Sequence, residues 1–251
     1  MVESQMSEGR RDLNRISQMD QESGVNASSS VVRCMTDSDV EAVVSLHIRA
    51  FPGFFLSVLG HRVLREFYRS FCFDSSGVAL VAEDVNPSRI VGVVAGPVVP
   101  EGYFRRLLAN RWWAFCLACA SAVVRNPRIV PRLWRALSYR GAPPDDRPRA
   151  LLSSIAVSPE ARNRGFGLLL VNAWVDAVRM RGATGCYLTT DAENNNAVNR
   201  FYERAGWMRQ GSFKTLEGRR MNMYVLDWVG DERGIQGTGL QRTVTGAMLS
   251  P

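Results

Sequence analysis

The segment that most constrains the fold runs from Leu151 to Gly182. Leu151–Val157 is apolar with a β-branched end, and Ser158-Pro159 stops it as a strand is stopped, because proline removes a ladder donor. Arg162-Asn163-Arg164-Gly165-Phe166-Gly167 follows, and then Leu168, Leu169, Leu170, Val171, Trp174, Val175 and Val178. Positions 168, 171, 175 and 178 share one helical face, with Gly182 as a stop, so the order is strand, glycine turn, amphipathic helix. A helix that opens on a glycine turn offers unpaired backbone N–H groups and the positive end of its dipole. Gly165 and Gly167 put no side chain between those amides and an anion, and Arg162 and Arg164 add charge. The turn is a candidate phosphate cradle. Taken alone, the hexapeptide also fits an ordinary turn with solvated arginines. A dinucleotide fingerprint needs glycine where Leu170 stands, and a P-loop needs a Gly-Lys-Ser/Thr that is absent here, so another phosphorylated ligand is implied.

The rest of the chain supplies the other layers. Residues 1–30 are rich in Ser, Gln, Glu and Arg without hydrophobic periodicity, which predicts a disordered segment. Val31–Met35 reads as a strand, and Thr36-Asp37-Ser38-Asp39 as a capping signal before a helix through Val40, Val43, Val44, Leu46 and His47. Phe51-Pro52-Gly53-Phe54-Phe55 reads as an aromatic loop, and a second helix carries Val63, Leu64, Phe67, Tyr68 and Phe71 at burial spacing. Val78–Glu83 and Ile90–Ala95 form an expected hairpin around Asp84–Ser88. Tyr103–Leu108, Trp112–Val124 and Ile129–Leu137 look helical, broken at Asn126-Pro127. Beyond the central helix come a strand at Cys186–Thr190, a polar turn at Asp191–Asn196 and a short helix at Ala197–Ala205 capped by Gly206. Trp207–Lys214 and Arg219–Trp228 form a terminal hairpin, and Gly230–Pro251 a loose tail.

Composition excludes several classes. The chain of 251 residues is 46% hydrophobic and 22% charged, which fits one globular domain with extensions. No apolar run reaches about 18 residues, so no simple helical span is expected. The first thirty residues lack an apolar core and a cleavage site, and five scattered cysteines suit a reducing cytoplasm. The net charge of +7 lies entirely in residues 101–140, which hold eight arginines and one acid, Glu101. The arginines follow an apolar helix with no base-reading motif, which argues against a nucleic-acid binder.

With these residues in this order, the chain resembles the GNAT N-acetyltransferase superfamily. Arg162-x-x-Gly165-x-Gly167 matches that family's acyl-CoA signature, and Asn195, Val198, Phe201, Tyr202, Gly206 and Trp207 match a second one. Val198 stands where a small residue is usual, and Trp207 where Phe is commoner. The match covers about residues 31 to 228 and is strongest from 151 to 213. The resemblance implies an α/β (α+β) fold: a mixed, twisted central sheet of about six or seven strands flanked by helices. It also implies a helical basic insertion between the third and fourth strands, with the fourth and fifth strands splayed to admit pantetheine. The expected domain is 31–229, with the insertion at 101–145.

The implied co-substrate is acetyl-CoA, with no metal. The amides around Arg162, Asn163, Arg164, Gly165, Phe166 and Gly167 would hold the pyrophosphate. Backbone groups of Ile155, Ala156 and Val157 would pair with pantetheine as an added strand. Asn195 would anchor the loop, and Tyr202 would sit near the sulfur as general acid, a phenol of pKa about 10 facing a thiol of about 8.5. A packed aromatic is the other reading of Tyr202. Many relatives carry a carboxylate on the strand before the cradle, where Ser153 and Ser154 stand here, so a serine-held water is one candidate relay. Asp191 and His47 are the candidate bases; Glu193 and Glu83 are further carboxylates, and a packed core residue is the other reading of His47.

Cys116 and Cys119 form a Cys-x-x-Cys that reads as two packed small residues, since no second pair or nearby His completes a metal site. Residues 101–140 fit a helical lid, a peripheral membrane contact or a subsite for an anionic acceptor such as a nucleotide-sugar diphosphate. The Phe51–Leu59 region with this insertion resembles a bacterial GNAT group associated with surface-polysaccharide genes. The expected function is transfer of acetyl from acetyl-CoA to a small primary amine, an amino sugar foremost, by direct attack in a ternary complex. The alternatives are a protein or peptide amine acetyltransferase and a non-catalytic acyl-CoA-binding, membrane-associating module. A cytoplasmic location is expected, and a homodimer is left open.

Overall fold

The structure is a computed structural model that describes residues 30–85, 88–107, 109, 147–215 and 218–228. The expected segment 1–29, the insertion helices at 112–124 and 129–137 with Cys116 and Cys119, and the tail 230–251 lie outside the described residues. The elements in order are β1 (Ser30–Cys34), α1 (Val40–Ala50), α2 (Phe55–Leu59), α3 (His61–Phe73), β2 (Gly77–Val85), β3 (Ser88–Pro97), β4 (Arg149–Leu151), β5 (Ser154–Val157), α4 (Phe166–Met180), β6 (Gly185–Asp191), α5 (Asn196–Arg204), β7 (Met208–Lys214) and β8 (Arg220–Asp227). Residues 103–107 are also helical.

The strands form two four-stranded sheets, β1-β2-β3-β5 and β4-β6-β8-β7. All described pairings are antiparallel except β4 with β6, which is parallel. The described residues hold eight strands, one more than the seven read from sequence, because the apolar run Leu151–Val157 divides. Leu151 and Leu152 are both buried, but in different clusters, Leu151 with Tyr187 and Val225 and Leu152 in the core under α4. The N–H of Leu152 donates to Tyr187 O on β6, and that of Ser153 donates to Ala95 O on β3. Ala95 opposes Ser154 in the ladder, so Ser153 is an extra residue of the kind that bends a strand. From there β5 follows the first sheet and leaves β6.

Apolar faces hold this arrangement. On α3, Val63, Leu64, Phe67, Tyr68 and Phe71 recur at helical spacing and are buried with Val43, Val44 and Leu46 of α1 against one face of the first sheet. On α4 the buried stripe is Phe166, Leu170, Val171, Trp174 and Val178, packed on the opposite side with Val78, Leu80 and Val94. Leu168, expected on the buried face, is 45% exposed and borders a cavity, because the core-facing stripe runs one position away from it. Each fully buried large side chain contributes about 1.5–3 kcal/mol. The start of α1 is tied by charge: Arg33 binds Asp39 and Glu83 together, and Asp39 accepts from the Thr36 N–H at 2.8 Å in a capping box.

The division of the strand needs a close approach at Gly96. A Cβ there would collide with the carbonyl oxygen of Leu151 and lie 2.9 Å from the Trp174 ring. Gly96→Ala is therefore expected to destabilise the fold by about 1–3 kcal/mol through overpacking, read as a lower midpoint in chemical denaturation with an unchanged slope.

Candidate active site

Where β5 leaves β6, the gap is lined by Ser153, Ser154, Ile155 and Val157 on one side and Leu188, Thr189, Thr190 and Asp191 on the other. It belongs to a cavity of about 850 Å³. The ladder to β3 uses alternate residues of β5. Ser158 donates to Val91 O, so Ala156, two residues earlier, directs its backbone groups to β3 as well. The backbone groups of Ile155 and Val157 then face the gap as a strand edge unpaired among the described residues. Ala156 does not line the cavity; its methyl lies in the core shared with α1 and α3.

The cradle closes one end. Asn163 (φ 60°) and Gly165 (φ 82°) both take left-handed backbone, and Gly165 is the N-cap of α4. The first bond into the helix is Leu169 N–H to Gly165 O at 3.1 Å, so α4 supplies no acceptor for the amides of Phe166, Gly167 and Leu168. Arg162, Asn163, Gly165 and Gly167 line the cavity, and nothing lies within 4 Å of the Cβ position of Gly165. Arg162 also donates to Ala50 O at 3.1 Å, which fastens the cradle to the end of α1. The side chain of Arg164, expected to add charge to the cradle, does not line the cavity, and neither does that of Phe166, whose expected part was its amide alone. Arg164 pairs with the buried Asp84 carboxylate at 3.1 Å and lies 5.3 Å from the Phe166 ring, and Phe166 is buried in the core. Arg200 and Arg204, one turn apart on α5, add two cavity-lining charges that sequence reasoning missed.

Asn195 and Tyr202 meet the cavity from α5 and the turn before it. Asn195 donates to Thr190 Oγ1 at 2.8 Å and to Asp191 O at 3.2 Å, which holds that turn on the end of β6. Asn199, which sequence reasoning also missed, donates to Asp191 O and Asn195 O, and its own oxygen accepts from Asn222 at 2.8 Å. The Tyr224 hydroxyl lies 3.0 Å from that same oxygen. Tyr202 is 4% exposed, wedged against Phe201, Trp207 and Tyr224. Burial raises its pKa well above the usual phenol range, so it stays a protonated donor at neutral pH. Both readings of Tyr202, packed aromatic and cavity residue, hold at once.

Residues 40–207 match the model of the acetyltransferase (GNAT) family, more than half of the chain. The chain belongs to the GNAT acetyltransferase family. No curated protein matches it by sequence. Among solved structures it is similar to a Desulfovibrio desulfuricans protein described as an acetyltransferase of the GNAT family, at 17% identity and a TM-score of 0.53, with 79% of this chain and 99% of that one covered. It is also similar to Ard1 from Thermoplasma volcanium, at 13% identity and a TM-score of 0.50, with 80% and 99% covered. At such identities these likenesses speak for the fold alone.

In this GNAT domain Ser154 stands at the start of β5 with Ser153 just before it, and both line the cavity. Asp191 lines the cavity, yet Arg219 engages both its oxygens, with Nη2 at 2.6 and 2.7 Å. Arg219 also lies 5.7 Å from the Phe54 ring, which spans the cavity mouth from the α1–α2 loop. Glu193 and Glu83 do not line the cavity, and Glu83 pairs with Arg33. His47 does line it, at 3% exposure, with Nδ1 2.8 Å from the Tyr68 hydroxyl. Among the described residues no cluster of three or more His, Cys, Asp or Glu side chains is placed to hold a metal ion. No described helix is long and apolar enough to cross a membrane.

Burial pushes the His47 pKa down to about 4. An unfolded histidine titrates near about 6.5, so between these values the unfolded chain binds a proton that the folded one refuses. The His47 contribution to stability is complete above about pH 6.5 and is lost as pH falls toward about 4. Thermal melting across that window is expected to show a steeper fall for the wild type than for His47→Gln.

Proposed function

We propose that this chain is an N-acetyltransferase that moves the acetyl group of acetyl-CoA, a substrate consumed in the reaction, to a primary amine. Attack is direct, in one ternary complex. The observation that carries the reading is the convergence of three features in one cavity: the free amides at the start of α4, the unpaired edge of β5, and Tyr202. The cradle amides suit a pyrophosphate, which needs several N–H donors and positive charge at one point. Arg162, Arg200 and Arg204 supply that charge. The Ile155 and Val157 backbone suits the two amides of a pantetheine arm, which would join β5 as an extra strand. Along that line the thioester end falls toward Tyr202 and the serines.

In this reading the residues divide the reaction between them. Ser154 on β5, Ser153 just before it, and Thr189 and Thr190 on β6 frame the site of attack. Tyr202, a phenol protonated at neutral pH, offers its hydroxyl to the thiolate as the carbon–sulfur bond breaks. Asp191, already bound to Arg219, serves better in orienting an acceptor than in removing its proton. Among the described residues no cysteine lines the cavity, which supports direct attack over an acyl-enzyme. We take the acceptor to be a small amine. An amino sugar is the specific expectation, since Thr189, Thr190 and Asp191 offer several partners to hydroxyl groups.

Tyr202→Phe is expected to lower kcat by about a hundredfold with little change in acetyl-CoA affinity, measured by steady-state kinetics and calorimetry. An unchanged kcat would remove Tyr202 from the chemistry. Incubation with acetyl-CoA and a panel of amino sugars, polyamines, arylalkylamines and peptides, followed by free-thiol release, tests the reading as a whole. Release with an amino sugar is the expected result. Acetyl-CoA binding without turnover on any amine would favour a binding module instead.

A further inference from the structure

A chain of three buried polar side chains from three separate elements runs behind the attack site. His47 Nδ1 on α1 lies 2.8 Å from the Tyr68 hydroxyl on α3, and that hydroxyl lies 2.9 Å from Ser154 Oγ on β5. Their exposures are 3%, 0% and 9%. His47 and Ser154 both line the cavity, while Tyr68 lies behind them. His47 Nε2 is buried with no partner among the described residues. A network that served packing alone would not need a hydroxyl at the fully buried position 68, where phenylalanine fills the same volume, nor leave a ring nitrogen unpaired.

The chemistry of the groups sets the direction of the chain. Imidazole nitrogen is the most basic of the three acceptors, and phenol is a stronger hydrogen-bond donor than an aliphatic hydroxyl. Tyr68 therefore donates to Nδ1, and Ser154 donates to Tyr68. His47 carries its single proton on Nε2. Ser154 Oγ is then left with lone pairs toward the cavity and no proton of its own to offer there, which suits it to accept from an amine.

On the basis of the N-acetyltransferase reading, we propose that Ser154, Tyr68 and His47 form a proton relay that accepts the proton released by the attacking amine. When the amine nitrogen bonds to the acetyl carbon, its N–H bond breaks toward Ser154 Oγ. The Ser154 proton moves to the Tyr68 oxygen and the Tyr68 proton to His47 Nδ1. One N–H bond is lost and one formed, nothing is oxidised, and the charge moves to the imidazole. The proton then returns through the same chain to water in the cavity, while Tyr202, having given its proton to the thiolate, regains one from solvent. The sum is amine plus thioester to amide plus thiol. The proton is held on the imidazole only in passing, because an ammonium on a carbon that also bears oxygen and sulfur is far more acidic than a free alkylammonium and burial makes His47 a weak base. The same low basicity keeps the imidazole neutral and ready between turnovers.

The test uses the full chain, which has only two histidines, His47 and His61. Nitrogen-15 NMR of labelled protein, assigned with His61→Gln, is expected to show His47 protonated on Nε2 and bare on Nδ1. A proton on Nδ1 would overturn the relay. In kinetics with acetyl-CoA and the amine that the wild type turns over fastest in the panel above, Tyr68→Phe and Ser154→Ala are each expected to lower kcat by about 10²-fold. Acetyl-CoA affinity should stay within about twofold in both. The solvent-deuterium proton inventory is expected to be curved for wild type and linear for Tyr68→Phe, which a packing role would not produce. Wild-type kcat in a folded Tyr68→Phe would sink the proposal; should that variant fail to fold, the same result with Ser154→Ala, at the cavity wall, decides. Turnover by the wild type with unaffected variants is thus the failure of the relay, whereas no wild-type turnover on any amine is the failure of the acetyltransferase reading and takes the relay with it.

Discussion

Leu152 gives its N–H to β6 and Ser153 gives its N–H to β3, and this change of partner between neighbouring residues opens the cleft. Had β5 continued beside β6, its edge amides would be paired in a continuous sheet and no strand-like ligand could enter. The switch is made rigid from both sides. Leu151 is buried with Tyr187 and Val225, Leu152 belongs to the core under α4, and Gly96 lets the Leu151 carbonyl approach β3 closely. The first turn of α4 is in turn aimed into the gap because Phe166, Leu170 and Trp174 bind that helix to the first sheet.

Around the cleft, several polar side chains are held by one another. Asn199 is the clearest case. Both its amide hydrogens and its oxygen are engaged, so the end of β6, the turn at Asn195 and β8 are joined through one side chain. Replacing such a residue would leave several buried groups unsatisfied at once, a larger cost than that of any single bond lost. Arg149 and Asp227, whose Nη2 and Oδ2 lie 2.6 Å apart, tie β4 to the end of β8 in the same way, so that the short parallel strand keeps its place beside β6. These contacts explain how a sheet interrupted at its centre still behaves as one support for the site.

Much of this was legible in the residues. The periodicity at 63, 64, 67, 68 and 71 marked α3, the Thr36–Asp39 capping signal marked the approach to α1, and the glycine turn and the Asn195–Tyr202 segment meet in one cavity. What was misread shares one cause. Arg164 and Leu168 were assigned by type and spacing, but a guanidinium near a cradle goes to whichever anion is closest. That anion is Asp84, a residue of β2 far away in the sequence. Ala156 was grouped with its neighbours, although strand alternation turns it to the other side. The eighth strand was hidden because an apolar run carries no mark of the sheet to which each residue will bond.

The sequence by itself determined the order of elements, most of the helix faces and the glycine turn that opens α4, because those follow from local periodicity and from backbone conformations that only a few residue types accept. Only the tertiary structure decided which partners the polar side chains would find. It brought His47, Tyr68 and Ser154 within hydrogen-bond distance across three elements, and it gave Asp191 to Arg219. Hydrogen bonds and ion pairs act over a few ångströms, so their partners are set by how helices and sheets pack, and the residues that meet there are tens of positions apart in the chain.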